Sequence, residues 1–482
     1  MKRIKFFFIL ILLSIQNNIA LAQTHSVNKS LLNINDSLNF ITGKFFIVDV
    51  LIAGNKKTKS YIIEREMLLH KNDSISKEDF KSLLIQSQNL IYNTTLFTSV
   101  EIIPVIKDSD NVILIVDVKE KWYIYPLPQF QLIARNFNDW LNTYNADLNR
   151  VIYGLKFSHY NLSGRRDQLH LYLLNGYSRN LSVKYSAPYS NPKLNRGFSF
   201  AAGFTSTRNI NYNTNYNNKV LQYSSDKFVN NNASIGGAYT IRNGHYLTNT
   251  FGLSVQFNKI DSEIVKPEFN PNYFRDSKTE QFIPDAYYTL QYSKVDNSRY
   301  PLKGKLISAQ LLKRGTAFSG GINMTQLSGS FSKFIPHKNY WYSSYSLQTK
   351  IKLPFNQSYI NQYAIGYGDY NLRGLEYYVV DGPISAVAKY TLKKKIISFK
   401  IPLPFHIKTI PDIPISIFAK GFADAGYSYN KPLYKTYLNN KLLYSGGFGI
   451  DILTVYDINL RMEYSFNQLN ENGLFLHSNG GF

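Results

Sequence analysis

The chain has few groups that could do chemistry. It contains no cysteine and only eight histidines. Thiolate metal sites, cysteine nucleophiles and disulfide scaffolds are therefore excluded. No Gly-x-Ser-x-Gly elbow and no His-Glu-x-x-His pair occurs, and the histidines lack metal-ligand spacing. His477 reads as a plain strand residue. The expectation is a non-enzyme with no cofactor and no metal. What remains is charge, and opposite charges can pair. Arg373 lies in Asn371-Leu372-Arg373-Gly374-Leu375, and Asp424 lies in Phe422-Ala423-Asp424-Ala425-Gly426. A guanidinium and a carboxylate can form a bidentate, charge-assisted pair. Gly374 lets the backbone turn tightly beside it.

The elements that position this pair follow from the pattern of the chain. Lys2, Arg3 and Lys5, the apolar run Phe6 to Ile15, and Ala20-Leu21-Ala22 have the form of a secretory signal over residues 1–22. Its removal takes three cations and no acids, so the net charge of +22 becomes +19. Export makes nucleic acid an unexpected partner. Beyond residue 22 no apolar stretch approaches the length of a membrane helix. The chain is then either soluble in the periplasm or spans as a β-barrel.

Residues 23–44 are polar and read as a flexible lead-in. Residues 45–121 read as an α+β unit in the order strand, helix, helix, strand, strand. Phe45 to Ile52 is the first strand and Gly54-Asn55 a turn. Helices are expected from Ser60 to Leu69 and after a Ser76/Asp79 capping box. Val100 to Val105 and Val112 to Val118 are the closing strands.

From 122 to 482 the pattern changes to alternating runs of about ten residues, the dyad period of a transmembrane strand. Sixteen runs start near residues 123, 150, 167, 179, 196, 232, 246, 284, 303, 320, 338, 384, 414, 441, 456 and 473. Long connections alternate with short ones. The connection at 397–413 breaks the rule, because it should be short and is not. Lys393-Lys394-Lys395 reads as a solvated rim. A soluble β-sandwich or propeller is the alternative, and no repeat of propeller length supports it. The fold class is thus a transmembrane β-barrel of about 16 antiparallel strands, preceded by a small α+β domain.

Several motifs carry a family resemblance. Gly54-Asn55 with Thr58, Leu96-Phe97-Thr98-Ser99-Val100 and Val116 to Trp122 resemble a POTRA domain. The Arg373 and Asp424 motifs resemble the loop and wall motifs of the outer-membrane assembly factor superfamily, the BamA/TamA-like surface-antigen barrels. Asp296, Arg299, Pro301 and Gly304 resemble a further turn of that family. Gly473, Phe475 and the terminal Phe482 resemble its C-terminal β-signal. Leu372 and Leu375 depart from the family's Val and aromatic residue, and one POTRA-like unit stands where housekeeping members carry several.

The resemblance implies a cell outer-membrane location with the N-terminal domain in the periplasm. It also implies that Arg373 folds into the lumen and locks to Asp424, with Gly374 and Gly426 beside them. The implied role is assembly, insertion or translocation of unfolded outer-membrane or secreted protein clients, with outer-membrane lipid and periplasmic accessory proteins as further partners. Clients would be captured by strand addition and inserted at a weak seam between the first and last strands. Pro126 and Pro128 fit either such an edge strand or a linker below the membrane. The alternatives are a two-partner-type secretion transporter for one dedicated substrate and a passive structural or porin-like barrel.

Overall fold

A computed structural model describes residues 43–133, 145, 147–316, 322–402, 412–431, 435–454 and 457–479. The expected signal segment, nearly all of the lead-in, and Phe482 lie outside these residues.

The first sheet has four strands: β1 (Lys44–Ala53), β2 (Ser74–Ser76), β3 (Phe97–Ile106) and β4 (Asn111–Glu120), in the order β2-β1-β4-β3. Alternation explains β4. Val112, Leu114, Val116 and Val118 are all buried, and the residues between them face outward. Helix α2 (Lys77–Tyr92) starts at the expected capping box. The Ser76 hydroxyl accepts from the Asp79 amide at 3.2 Å and donates to the Asp79 carboxylate at 2.8 Å. Phe80, Leu84 and Ile91 are its buried stripe.

Helix α1 covers only Ser60–Glu64, shorter than the sequence pattern suggests. The chain leaves it where Arg65 and Glu66 enter an ion cluster, a case of tertiary contacts overriding propensity. Residues 52–68, 85–101 and 116–482 form one compact unit. Inside it, the Glu66 carboxylate accepts from the Arg242 guanidinium at 2.5 and 2.7 Å and from the Tyr189 hydroxyl at 2.6 Å.

The second sheet has sixteen strands, all antiparallel to their neighbours. It runs β5 (Ile124–Leu132), β6 (Val151–His159), β7 (Gln168–Gly176), β8 (Ser178–Ala187), β9 (Arg196–Thr207), β12 (Asn230–Asn243), β13 (Leu247–Ile260) and β14 (Glu280–Val295). It continues through β15 (Gly304–Arg314), β16 (Met324–Pro336), β17 (Trp341–Leu353), β18 (Ile384–Pro402), β19 (Asp412–Tyr429), β20 (Leu442–Leu453), β21 (Asn459–Asn467) and β22 (Asn472–Asn479). The sixteen strands expected from alternation are the sixteen found. A separate hairpin, β10 (Asn209–Thr214) with β11 (Val220–Ser224), lies within one long connection.

The two faces of the large sheet differ in chemistry. Leu253, Leu327, Phe448, Leu474 and Leu476 lie exposed on the outer face. Lys389, Asp424, Asp451 and Glu463 lie on the inner one. Apolar side chains outside and charges inside are the arrangement of a barrel that stands in lipid. Among the described residues no helix is long and apolar enough to cross a membrane.

The long connections pack on one another at one end of the barrel. The amide of Asn218, in the β10–β11 turn, donates to the Val379 carbonyl at 2.8 Å and to the Thr436 hydroxyl at 2.6 Å. Below it, Ile365, Leu372, Leu375 and Val380 bury against Leu438, and against Val387 and Leu443 of the wall. A second apolar cluster joins Ile210, Ile264, Phe274 and Tyr359, which starts helix α3 (Tyr359–Gln362).

Candidate functional site: a loop bound to the inner wall

The connection between β17 and β18 brings Arg373 onto the inner wall. Its Nε donates to Asp424 Oδ2 at 2.9 Å and its Nη2 to Oδ1 at 2.5 Å. The Arg373 backbone amide reaches Oδ2 at 3.0 Å. Nη1 also donates to the Thr391 hydroxyl at 3.0 Å, and Nη2 to the Tyr390 carbonyl at 3.2 Å. The guanidinium stacks over the Phe422 ring at 4.0 Å. The Asp424 side chain has no exposure and that of Arg373 has 12%. This geometry is the bidentate pairing that the residue types allow.

Two glycines make the approach possible. Gly374 has φ +84°, and a Cβ there would lie 2.9 Å from Ser465 Cβ on β21. Its carbonyl accepts from Asn467 at 2.7 Å. Gly426 leaves the space that Leu372 fills, since a Cβ there would lie 2.8 Å from Leu372 Cδ1. The leucine that departs from the family pattern is thus seated over Gly426.

The pair belongs to a larger cluster that sequence reasoning missed. Strand pairing aligns Asp424 with Ser445, Lys420 with Gly449, and Gly449 with Glu463. Lys420 Nζ lies 2.5 Å from Asp451 and 2.6 Å from Glu463. Glu463 lies 3.9 Å from Arg373. Lys393 lies 3.3 Å from Asp451 and over the Tyr300 ring at 4.0 Å. Lys393 is therefore an inner-wall residue, not part of a solvated rim, because the period of two turns it inward. Lys394 points the other way, over the Trp341 ring at 5.3 Å. His477 is also more than a plain strand residue: its Nε2 lies 3.5 Å from Glu463 and 3.7 Å from Glu376.

The turn at 296–303 closes on Asp296. Its carboxylate accepts from the amides of Asn297, Leu302 and Lys303 at 2.9, 3.0 and 3.0 Å. Gly304 has φ +114°, and a Cβ there would lie 2.0 Å from the Lys294 carbonyl. Arg299 and Pro301 belong to the turn, and the Arg299 amide donates to Asn297 at 2.8 Å. The unexpected residue is Tyr300, whose hydroxyl donates to Asp451 at 2.7 Å. A chain of contacts thus runs from Asp424 through Arg373, Glu463, Lys420 and Asp451 to Tyr300. The only sequence signal for it was isolated charges at even spacing inside apolar strands.

The POTRA-type motif also assembles. Gly54 has φ +84°, and a Cβ there would lie 1.9 Å from the Val118 carbonyl. Asn55 donates to the Thr58 carbonyl at 3.0 Å. The amides of Lys57 and Thr58 donate to Glu120 at 3.0 and 2.6 Å. The turn therefore sits at the end of β4 because Glu120 collects its amides.

Gly473 and Phe475 lie on the inner face of β22, opposite Ser465 and Glu463. Pro126 and Pro128 lie inside β5, paired with Phe157 and Leu155, and not in a linker ahead of the sheet. Among the described residues no ladder joins β5 to β22. Two prolines two residues apart, in a strand laddered throughout to β6, put both missing donors on the side away from β6.

Residues 45–121 match the POTRA family, described as surface antigen variable number repeat. The fold is similar to BamA from Haemophilus ducreyi lacking POTRA domains 1-3, at 14% identity over 90% of this chain and 84% of that one, with a TM-score of 0.49. It is also similar to CdiB from Escherichia coli, at 10% identity over 90% and 75% of the two chains, with a TM-score of 0.51. No curated protein matches. At these identities the likeness is one of fold. A POTRA domain ahead of a sixteen-stranded antiparallel barrel defines the class. The chain thus joins a domain that matches the POTRA family to a barrel whose fold is similar to that of CdiB.

Proposed function

We propose that this protein is an outer-membrane insertion or translocation factor that acts on protein clients without catalytic residues. Residues 1–22 direct export and 122–482 span the outer membrane. The POTRA domain and the short turns face the periplasm, and the long loops face outward. The observation that carries this reading is a POTRA-family domain placed ahead of a sixteen-stranded antiparallel sheet whose end strands are β5 and β22. A seam that opens between these end strands would offer backbone donors and acceptors to an added strand. The strands at the two ends of the sheet are short among the described residues, 9 residues in β5, β6 and β21 and 8 in β22, against 16 in β14 and 18 in β19. Strands near the minimum spanning length favour a thinned bilayer beside the seam. Strand addition at the POTRA sheet captures the client, and client folding supplies the free energy.

Depletion of the protein followed by quantification of all outer-membrane proteins tests this role. Loss of several barrel proteins is the expected result. Loss of a single secreted protein would make it a dedicated transporter, and an unchanged membrane would make it a passive barrel. The interlocked loops over one end argue against free solute passage.

A further inference from the structure

The overlong connection at 397–413 has a structural basis that the proposed function does not use. The ladder between β17 and β18 ends at Trp341 and Lys394. The ladder between β19 and β20 ends at Ser416 and Leu453. β18 and β19 nevertheless stay paired out to Pro402 and Asp412. Residues 395–402 therefore continue beyond the β17 ladder, and 399–402 with 412–415 continue beyond both neighbouring ladders as a two-stranded ribbon. At 3.3 Å per residue the two-stranded part is roughly 13 Å long.

A register shift between Lys395 and Ile397 sets the chemistry of this ribbon. Before it, Lys389, Thr391 and Lys393 share the inner face with Asp424, Phe422 and Lys420. The extra residue, Ile396, reverses the alternation of β18 alone. After it, Ile397, Phe399 and Ile401 stand opposite Ile417, Ile415 and Ile413 on the outer face. Ile396, Ile397, Phe399 and Ile401 are 57, 50, 41 and 43% exposed. The other face is polar at its start, where the Ser398 and Ser416 hydroxyls meet at 2.8 Å, and it also carries Lys400 and Asp412.

We propose that this ribbon lies on lipid, with its apolar face at the headgroup–acyl boundary of the leaflet at the short-turn end. Three observations select lipid as the occupant. The apolar face is continuous with the lipid-facing wall, because Ile417 pairs with Ile452 on the side that carries exposed Ile450 and Phe448. The ribbon begins where Lys394 covers the half-exposed ring of Trp341, the residue pair that marks a membrane interface. Lys400, on the polar face of the ribbon, suits anionic headgroups. Among the described residues no strand pairs with either edge of the ribbon, and such edges need water, which excludes the hydrocarbon core and leaves the boundary. A bulge bends the strand that carries it. An outward bend here turns the outer face toward the leaflet. A two-stranded hairpin is marginal alone, so an uncovered apolar face requires a cover. The inference does not depend on the insertion role.

The absence of cysteine makes the test direct. Phe399→Cys, Ile401→Cys and Lys400→Cys each carry one environment-sensitive fluorophore, with Leu474→Cys as the lipid-facing reference. The proteins are refolded into phosphatidylcholine/phosphatidylglycerol vesicles containing doxyl-labelled phosphatidylcholine, and heat-modifiable gel mobility confirms folding. Quenching at 399 and 401 is expected to approach that at 474 and to exceed that at 400 several-fold. Equal quenching at 399 and 400 would overturn the proposal, as would a blue-shifted but unquenched probe at 399, which would mean that protein covers the face. If Phe399→Cys fails to fold, Ile401→Cys decides alone.

Discussion

The Arg373–Asp424 pair allows a quantitative test. Arg373→Ala removes the two side-chain bonds to Asp424 and leaves a carboxylate with no solvent exposure that, among the described residues, keeps the hydrogen bond from the residue 373 amide alone. Removing one partner of a buried ion pair costs about 3–5 kcal/mol, and that full range is expected here. Asp424→Ala is milder. The guanidinium keeps Thr391, the Tyr390 carbonyl and Glu463 nearby, and it is 12% exposed, so about 2–3 kcal/mol is expected. The double variant no longer strands a charge, so its cost falls below the sum by about 3 kcal/mol, more than a hundredfold in the equilibrium constant. Arg373→Lys keeps the charge but loses the fork and recovers only part of the loss. Urea titration of the four refolded proteins in lipid vesicles, read by gel mobility, closes the cycle. A coupling below about 0.5 kcal/mol is the level of independent sites and would refute the lock. So would wild-type stability in Arg373→Lys.

Other parts of the structure make sharper, smaller predictions. Gly374→Ala imposes a left-handed backbone on an L-residue, at about 1–2 kcal/mol, and pushes against Ser465; trypsin should then cleave at Arg373 faster than in wild type. Tyr300→Phe removes a hydrogen bond to a charged group, so a loss of about 1.5–3 kcal/mol is expected in the urea midpoint, and an unchanged midpoint would mean the turn is not tied to the wall. Burial opposes the charge on Glu66, but its hydrogen bonds and the Arg242 and Arg65 charges prevail and hold its carboxyl below the usual range. A carboxyl with a lowered folded pKa stabilises above its unfolded pKa and loses that contribution as pH falls through the folded value. Stability should therefore fall on acidification below about pH 4.5, and less steeply in Glu66→Gln, as measured by unfolding midpoints across pH.

The sixteen strands were legible because alternation is local. Each strand must turn apolar side chains one way and polar ones the other, and its neighbours in sequence record that. Ser76 with Asp79, and Val112 through Val118, were legible for the same reason. The length of α1 was not, because Glu66 is held by Arg242 and Tyr189, far away in the chain. Lys393 shows the limit most clearly. Three consecutive lysines look alike in sequence, yet the pleat sends Lys393 to Asp451 and Lys394 to Trp341.

A family resemblance singled out Arg373 and Asp424, and residue chemistry made them a pair with glycines that let a loop reach a wall. Only register across four strands decided that Lys420, Asp451 and Glu463 stand beside them, since a shift of one residue would turn each of these charges into lipid. The same dependence explains the ribbon. Its isoleucines are plain in the sequence, but one inserted residue, Ile396, decides which face they share. A single sequence records the period of a strand; the partner strand sets its phase.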